Sequence, residues 1–255
     1  MESVDAQFIR LVYGYGITFT FSADGSQLWV KWPLNDVPLE AVIAFLMNPV
    51  LGFYLRLRGN VCLHASAIAI DNEVILVTGP AGYGKSTTAS LFAVHGHTIF
   101  TDDIALLTRH DNHMEVTPGY PGLRLWPESA QQLLGRDDLL PELAPGWTKQ
   151  YLDLNNSQYP FANTPLRIGA IYILRRRESR MRIEPAPPSS ALLDLMNNTY
   201  MDYLLDAERR SLDFKLLAWV VGAVPVRYVT PHLDLARLSD LYEGIISDFR
   251  SVVQV

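Results

Sequence analysis

The sequence predicts an α/β fold built around a phosphate-binding loop. Residues 74–77 are Val-Ile-Leu-Val, a short apolar run typical of a buried strand. Residues 79–86 then fill every fixed position of the pattern G-x-x-x-x-G-K-[ST], which forms a loop around phosphate groups. The apolar residues between positions 89 and 94 have helical spacing, and Gly96 ends that segment. A strand, a glycine-rich loop and a helix in this order indicate a nucleotide-binding core.

The chemistry of the loop follows from what a triphosphate requires. Backbone N–H groups must turn inward around the phosphate oxygens, which glycine permits at the tight positions. A helix beginning at about Gly84 would add its positive end, Lys85 would reach the β- and γ-phosphates, and the Ser86 hydroxyl would hold Mg²⁺. A chance match by a glycine-rich turn is the alternative, expected on the order of once in a hundred chains of this length. The predicted nucleotide-binding residues are Gly79, Pro80, Ala81, Gly82, Tyr83, Gly84, Lys85, Ser86 and Thr87.

Length and composition bound the classes of protein that remain. The 255 residues suffice for one large domain or a modest pair, and 49% hydrophobic with 19% charged residues fits an ordinary globular chain. The net charge of −6 gives no general attraction to nucleic acid or to an anionic membrane. We therefore expect neither a nucleic-acid partner nor a membrane partner.

Cysteine content and the N-terminus predict a cytoplasmic location. The one cysteine, Cys62, has no partner for an internal disulfide and lies in an apolar run, so a buried structural role is expected. Glu2 and Asp5 stand where a secretory signal would carry basic residues. No run reaches about 18 apolar residues, so no membrane span is expected.

The first 52 residues predict a small α+β region. Residues 11–21 and 28–32 are rich in β-formers and flank an Ala-Asp-Gly turn, which indicates a hairpin. Residues 39–47 predict a helix after Pro38. A structural or partner-binding role is the default for this region.

Two stretches around the loop carry further candidates for chemistry. His64 lies in the apolar stretch 55–70, where a single histidine is most often a satisfied core residue. Asp102 and Asp103 end an apolar segment about 17 residues after Lys85, where a neighbouring parallel strand would bring carboxylates to the phosphate end of the sheet. An acidic turn between two hairpin strands is an equally good interpretation of the pair.

The next segment adds an arginine on a rigid loop. Residues 117–127 are dense in proline and glycine and carry Arg124, which is a candidate for a phosphate contact or a surface ion pair. A helix is predicted over residues 128–134. Residues 137–165 predict a long loop or flap that contains Lys149 and Tyr151.

The last third of the chain predicts structure without further chemistry. Residues 166–174 predict a buried strand, and residues 175–180 a basic turn that we interpret as a solvated hairpin end in preference to an anion site. From position 189 the pattern is helical, interrupted by a strand over residues 224–229. No repeat and no Cys/His cluster with metal-ligand spacing is recognised.

Three elements together resemble one known family. Leu63-His64-Ala65, the loop from Gly79 to Thr87, and the segment Gly96-His97-Thr98-Ile99-Phe100-Thr101-Asp102-Asp103 are similar to the catalytic domain of the HPr kinase/phosphorylase family, in the same order and with similar spacing. The resemblance is strongest over residues 53–107 and continues loosely to about 130. It implies a catalytic domain over residues 53–255, with residues 1–52 as the separate N-terminal region.

The resemblance implies a fold, cofactors and roles for single residues. The expected fold is a mixed α/β core related to phosphoenolpyruvate carboxykinase, and the expected cofactors are ATP and Mg²⁺. His64 would be the upstream active-site histidine, Lys85 the phosphate-binding lysine and Ser86 a Mg²⁺ ligand. Asp102 and Asp103 would supply a metal-linked carboxylate, provisionally Asp102, and a base, although which does which stays open. Arg124 would steady the transferring group, which completes the expected catalytic set.

Departures from the family pattern bear on the substrate. Thr87 stands where the HPr kinases have glutamate, and neither their Glu-Ile-Arg-Gly loop nor their Arg-Pro-Gly-Arg loop is recognisable. The short N-terminal region and the combination of Leu63-His64-Ala65-Ser66 with Pro-Gly-Leu-Arg-Leu-Trp-Pro over residues 121–127 look more like the divergent homologues. Some of these phosphorylate a serine of ribosomal peptide precursors, including lasso-peptide precursors. The expected function is therefore an ATP- and Mg²⁺-dependent serine kinase for a peptide or small protein. HPr kinase proper, an ATP-binding regulatory module and a P-loop hydrolase are the alternatives, and a homo-oligomer is possible.

Overall fold

The computed structural model describes residues 2–5, 8–135, 148–155, 158–202 and 206–253, and has a mixed α/β architecture. The strands are β1 (Glu2–Asp5), β2 (Phe8–Val12), β3 (Thr18–Ser22), β4 (Leu28–Lys31), β5 (Val61–Leu63), β6 (Ala65–Ile70), β7 (Glu73–Thr78), β8 (Ile99–Thr101), β9 (Ala105–Arg109), β10 (Met114–Thr117), β11 (Gly122–Leu125), β12 (Gln150–Asp153), β13 (Leu166–Leu174), β14 (Arg182–Pro185) and β15 (Val226–Thr230). The helices are α1 (Leu39–Phe45), α2 (Leu51–Leu57), α3 (Lys85–Val94), α4 (Pro127–Leu134), α5 (Pro188–Asn197), α6 (Ala207–Ala223) and α7 (Leu238–Val253).

The N-terminal region is a four-stranded antiparallel sheet that packs against a helix. Its strand order is β1-β2-β3-β4, so the predicted hairpin is confirmed in β3 and β4. The prediction that residues 11–21 form one strand of the hairpin is wrong, because a 3₁₀ turn over Gly14–Gly16 separates β2 from β3. Tyr15 within that turn has a φ of 63°, which no strand residue adopts.

The helix of this region is longer than predicted and contains a π-helical segment. Helices α1 and α2 are joined by a π-helical turn over Leu46–Val50 that contains Pro49, so the helical run continues past the predicted end at residue 47. The predicted domain boundary between residues 52 and 53 falls inside α2, and the division into two domains stays a prediction.

This helical run is long and apolar enough, by length and composition alone, to cross a membrane. It spans Leu39–Leu57, and 44% of its most apolar window is buried inside the protein. The search for about 18 consecutive apolar residues did not identify this run, because Asn48 and Arg56 interrupt it. Arg56 is buried and paired with Asp213 of α6. The run therefore contains a buried ion pair to another helix, and helices in protein cores also meet this criterion of length and composition.

A second, nine-stranded sheet holds the predicted strand–loop–helix unit. Its main order is β5-β9-β10-β13-β7-β6-β8, and β15 lies between β13 and β14. β13 pairs in parallel with β7 and with β15, whereas β6 pairs antiparallel with both β7 and β8. The sheet is therefore mixed, as expected for the predicted α/β class.

Helices cover both faces of this sheet. Along β7, Val74 and Leu76 belong to the core that includes α5 and α6, whereas Ile75 and Val77 belong to the core that includes α3 and α7. This alternation follows from the two-residue period of a strand. A strand that is apolar at every position is thus explained by burial on both sides.

Two predicted segments differ in the structure. Residues 150–153 form β12, which pairs with β11, so Tyr151 lies in a strand and not in a flap. Residues 137–147 and 156–157 of the predicted flap lie outside the described residues. The basic segment after β13 is not a hairpin end, because β15 lies between β13 and β14. Both differences arise from long-range pairing that local sequence patterns do not encode.

A candidate phosphate-binding cleft with an acidic pair

The loop between β7 and α3 has the backbone conformation that its glycines predict. Gly79, Gly82 and Gly84 have φ values of 136°, 81° and 106°, a region that side chains with a Cβ rarely adopt. Gly79 also passes close to β13, since a Cβ on it would lie 2.8 Å from the carbonyl oxygen of Leu174. The strand end and the adjacent strand therefore fix where the loop begins.

The N-terminus of α3 fits an anion. The helix begins at Lys85, as predicted to within one residue, and no side chain of the described residues caps it. Its first N–H groups are thus open to oxygen atoms of a ligand, and the helix dipole favours negative charge there. Uncapped N–H groups at the positive end of a helix dipole are the arrangement that binds a phosphate group.

Lys85 folds back over the loop. Its ammonium group donates hydrogen bonds to the carbonyl oxygens of Gly79, at 2.8 Å, and Pro80, at 3.3 Å, and the residue is only 7% exposed. Burial lowers the pKa of Lys85, against the opposing charges of Asp103 and Asp102. A ligand with negative charge at this place would stabilise the ammonium form.

The acidic pair lies in the turn between β8 and β9. β8 runs in the same direction as β7, so both strands end at the same edge of the sheet, but β6 lies between them. The expectation of a neighbouring parallel strand is therefore wrong in detail, whereas the expected delivery of carboxylates to the phosphate end of the sheet is what the structure has.

Asp102 accepts three hydrogen bonds from the surrounding chain. Its Oδ1 accepts from the hydroxyls of Ser66, at 2.6 Å, and Ser86, at 3.1 Å, and its Oδ2 accepts from the backbone N–H of Arg124 at 3.2 Å. Burial and the neighbouring Asp103 charge nevertheless raise the pKa of Asp102. Ser86 and Asp102 thus present oxygen atoms side by side, the ligand type that Mg²⁺ prefers.

Asp103 lies on the cleft side and is held as a carboxylate. Its backbone φ is 77°, and its side chain contacts His64 Nε2 at 3.3 Å, Arg124 Nη1 at 3.2 Å and Asn48 Nδ2 at 2.9 Å. Burial would raise its pKa, but the hydrogen bond from His64 and the charge of Arg124 outweigh it and lower the pKa to about 2. Left-handed backbone at a residue with a Cβ is a strained conformation of the kind found at functional sites.

His64 is not the buried core histidine that composition favours. Its side chain is 36% exposed and projects from between β5 and β6 toward Asp103. Its backbone N–H donates to the carbonyl oxygen of Asn198 at 2.7 Å, and its ring lies edge-on to Tyr200. Contacts with Asn198 and Tyr200 therefore orient His64, and its imidazole ring lines the cleft.

Asn48 is a site residue that the sequence interpretation missed. It is 9% exposed in the π-helical turn, and the hydroxyl of Tyr200 donates to its Oδ1 at 3.1 Å while its amide donates to Asp103. Single π-helical turns recur at functional sites because they re-aim a side chain. Pro49 in an apolar helical pattern was the available signal, although it pointed to a helix end and not to a site.

The candidate residues surround one cleft of about 280 Å³. Of the predicted residues, the lining includes His64, Ala81, Gly82, Gly84, Lys85, Ser86, Thr87, Asp103 and Arg124. Gly79, Pro80, Tyr83 and Asp102 do not line it; Tyr83 packs toward the hydrophobic core, and Asp102 lies behind Ser86. The cleft therefore combines the loop, the histidine, Asp103 of the acidic pair and the arginine.

Two further cations line the cleft. Arg177 donates to the carbonyl oxygen of His232 at 2.8 Å and approaches Gly84, and burial lowers its pKa. The interpretation of residues 175–180 as a solvated turn is wrong for this residue. Lys149 lies with its Nζ 5.6 Å from the centre of the Trp126 ring, also at the cleft. With Lys85 and Arg124, these groups give the cleft a positive lining suited to phosphates.

Comparison with known proteins gives likenesses among solved structures only. No protein-family model matches the sequence, and no curated protein matches it. Among solved structures, the chain is similar to the HPr(Ser) kinase/phosphatase from Coxiella burnetii, with 14% identity, a TM-score of 0.41, and coverage of 76% of this chain and 99% of that chain. At this identity and TM-score, the likeness adds nothing to the geometry of the cleft.

Proposed function

We propose that this protein is an ATP- and Mg²⁺-dependent serine kinase that acts on a peptide or small protein. The observation that carries the proposal is the acidic pair beside the loop, with Asp102 bonded to Ser86 and Asp103 turned into the cleft. A loop that only binds nucleotide does not need a second, separately oriented carboxylate. Phosphoryl transfer to a hydroxyl does need one.

Binding of the phosphates would fall to the loop and its cations. The open N–H groups at the start of α3 and the Lys85 ammonium would hold the chain of phosphates. Arg177, whose guanidinium lies close to Gly84, would add a second positive charge. These groups are already oriented by protein contacts, so little reorganisation would accompany binding.

Ser86 and Asp102 would hold the magnesium ion. Their oxygen atoms lie 3.1 Å apart, and Ser66 and the Arg124 backbone fix the orientation of the carboxylate. Bound together, Mg²⁺ and ATP supply the phosphoryl group and neutralise the charge that develops during its transfer. A cation at this corner would also favour the ionised form of Asp102.

Asp103 would orient the acceptor hydroxyl and take its proton. Because His64 and Arg124 keep it ionised, it is a weak base, which suits a loose transition state in which the hydroxyl proton is transferred late. His64 and Asn48 would act as positioning residues through Asp103. Arg124 bridges both acids and would steady the transferring group.

The acceptor class rests on the resemblance to the divergent homologues, which is carried by residues 63–66, residues 121–127 and the short N-terminal region. We infer a serine of a ribosomal peptide precursor, of which a lasso-peptide precursor is one instance, in a cytoplasmic setting. HPr itself is the alternative acceptor, because residues 53–107 resemble the HPr kinases. A homo-oligomer is compatible with either acceptor.

Transfer of label from γ-labelled ATP to serine-containing precursor peptides, with HPr as a second acceptor, tests the proposal. We expect Mg²⁺-dependent labelling of a serine, and Lys85→Ala should reduce it by at least about a hundredfold. The matched control is Lys215→Ala on the exposed face of α6, which should keep wild-type transfer.

Two outcomes would contradict the kinase proposal. Release of free phosphate without labelling of the peptide or of HPr would indicate a hydrolase. A MgATP-dependent rise in melting temperature with neither release nor labelling would indicate a regulatory nucleotide-binding module.

A further inference from the structure

A cluster of two histidines and a glutamate lies on the hairpin between β9 and β10, away from the cleft. The backbone N–H of His110 donates to the carbonyl oxygen of His113 at 2.9 Å, so these residues face each other across a two-residue turn. Glu115 lies two residues beyond His113 on β10, and residues two apart on a strand share a face. The hairpin therefore places all three side chains on one face.

The ligand atoms of the three side chains converge. Glu115 Oε2 lies 3.1 Å from His110 Nε2, and Glu115 Oε1 lies 3.0 Å from His113 Nε2. All candidate ligand atoms are within 4.8 Å of one another. Ligands of a tetrahedral ion with bonds of about 2.0–2.1 Å are about 3.3 Å apart, so only small shifts would seat an ion between them.

The contacts of His113 include an outer hydrogen-bond partner for a metal-bound ring. Its Nδ1 lies 3.0 Å from the side-chain oxygen of Asn112, while its Nε2 faces Glu115. A neutral imidazole has one N–H, so it cannot donate to both oxygens. If Nδ1 donates to Asn112, the Nε2 lone pair is free for a metal, which is the usual arrangement of a metal-bound histidine and its outer partner.

We propose that His110, His113 and Glu115 bind one divalent transition-metal ion of the zinc class. Imidazole nitrogen suits zinc, nickel and copper, whereas Mg²⁺ prefers oxygen ligands alone. Three protein ligands leave at least one coordination position for water or another molecule. His110 is 46% exposed at its side chain, so an ion would have direct access from solvent.

The proposed ion has no part in phosphoryl transfer. Six residues of largely extended chain lie between Asp103 and His110, a span of roughly 20 Å. Arg167 faces Glu115 across the strands, but its guanidinium pairs with Glu73 at 3.7 Å. The site is therefore independent of the proposed kinase chemistry, and either proposal can fail without the other.

Zn²⁺ titration of the untagged full chain, monitored by calorimetry with excess Mg²⁺ to occupy the acidic corner of the cleft, tests the site. We expect one Zn²⁺ per chain, and His110→Ala, His113→Ala and Glu115→Gln should each weaken binding by at least about tenfold. The matched controls are His95→Gln and Glu243→Gln, both at exposed positions outside the cluster, which should bind as the wild type does.

Nuclear magnetic resonance of the wild-type histidine rings gives a readout that does not depend on any variant folding. Two imidazole signals, assigned to His110 and His113, should shift together on addition of one equivalent of Zn²⁺. The proposal is overturned if these two signals stay unmoved, or if the His110→Ala/His113→Ala double variant binds Zn²⁺ as tightly as the wild type.

Discussion

Two adjacent carboxyl groups, Asp102 and Asp103, have opposite pKa shifts because their partners differ. Burial and the charge of its neighbour raise the pKa of Asp102, whereas His64 and Arg124 overcome burial and lower the pKa of Asp103. Asp103 therefore contributes stability above its unfolded value of 3.8, which is lost as the pH falls toward about 2. Asp102 contributes below its unfolded value, and that contribution is lost as the pH rises through its folded pKa.

These signs predict that two similar substitutions change stability in opposite directions. At neutral pH without Mg²⁺, Asp102→Asn should raise the melting temperature by a few degrees, because it removes a carboxyl group whose charged form the fold disfavours. The Ser66 and Ser86 hydroxyls can instead accept hydrogen bonds from the new side-chain amide. Asp103→Asn should cost about 1–3 kcal/mol, because Arg124 loses its charged partner.

Thermal unfolding followed by circular dichroism measures both variants, and wild-type protein with and without Mg²⁺ is the control. Both variants should also lose phosphoryl transfer. Asp102→Asn would therefore lose activity while its melting temperature rises. Equal destabilisation by the two substitutions would contradict the assigned shifts.

At the scale of elements, the glycine-rich loop between β7 and α3 depends on how closely β7 approaches β13. Gly79 has left-handed backbone and no room for a Cβ beside the Leu174 carbonyl oxygen. The strand pair, and not the loop alone, therefore requires glycine at this position. Glycines that lack such contacts, such as Gly222 in α6, are not under this constraint.

Gly79→Ala should accordingly disrupt the loop. We expect a loss of about 2 kcal/mol or more in the free energy of unfolding, because the left-handed conformation is unfavourable for alanine and β13 must also move. Nucleotide-dependent stabilisation should disappear as well. Urea denaturation with and without MgATP measures both effects.

Gly222→Ala is the matched control for that experiment. It lies in a helix with no atom within 4 Å of the added Cβ, so it should leave stability unchanged or raise it by up to about 1 kcal/mol. If Gly79→Ala is as well tolerated as Gly222→Ala, the close approach of β7 and β13 does not constrain the loop.

At the scale of the whole molecule, the cleft is assembled from distant parts of the chain. The π-helical turn contributes Asn48, the edge of the large sheet contributes His64 and Asp103, and the segment after β13 contributes Arg177. A ligand that engages the loop should therefore restrict motion in all of these parts together. Local opening sets amide exchange, so hydrogen exchange reports such restriction.

MgATP should slow hydrogen exchange in the loop over residues 79–86 and in the acidic turn over residues 101–104, with a smaller effect over Leu46–Val50. Exchange in β2 and β3, which pack against the helical run and do not line the cleft, is the internal control and should not change. Protection of the loop with no change in the acidic turn would contradict the assembly of one site from these segments.

Much of the local structure was predictable because it depends on short-range rules. The strand of residues 74–77, the glycine loop and the start of α3 follow from periodicity and from the phosphate-binding pattern, and the buried strand over residues 166–174 follows from its apolar run. A helix after the Trp-Pro pair at residues 126–127 was likewise predictable, because proline is favoured in a first turn. Cys62 is buried and unpaired, as its apolar surroundings predict.

The sequence by itself determined the strand–loop–helix unit, the acidic pair and the chemistry that these residue types can perform. Only the tertiary structure decided that β6 separates β7 from β8, that Asn48 and Arg177 reach the cleft, and that His64 contacts Asp103 and not the core. The physical reason is that periodicity and turn chemistry are local, whereas strand order and cleft lining depend on contacts between residues tens to more than a hundred positions apart.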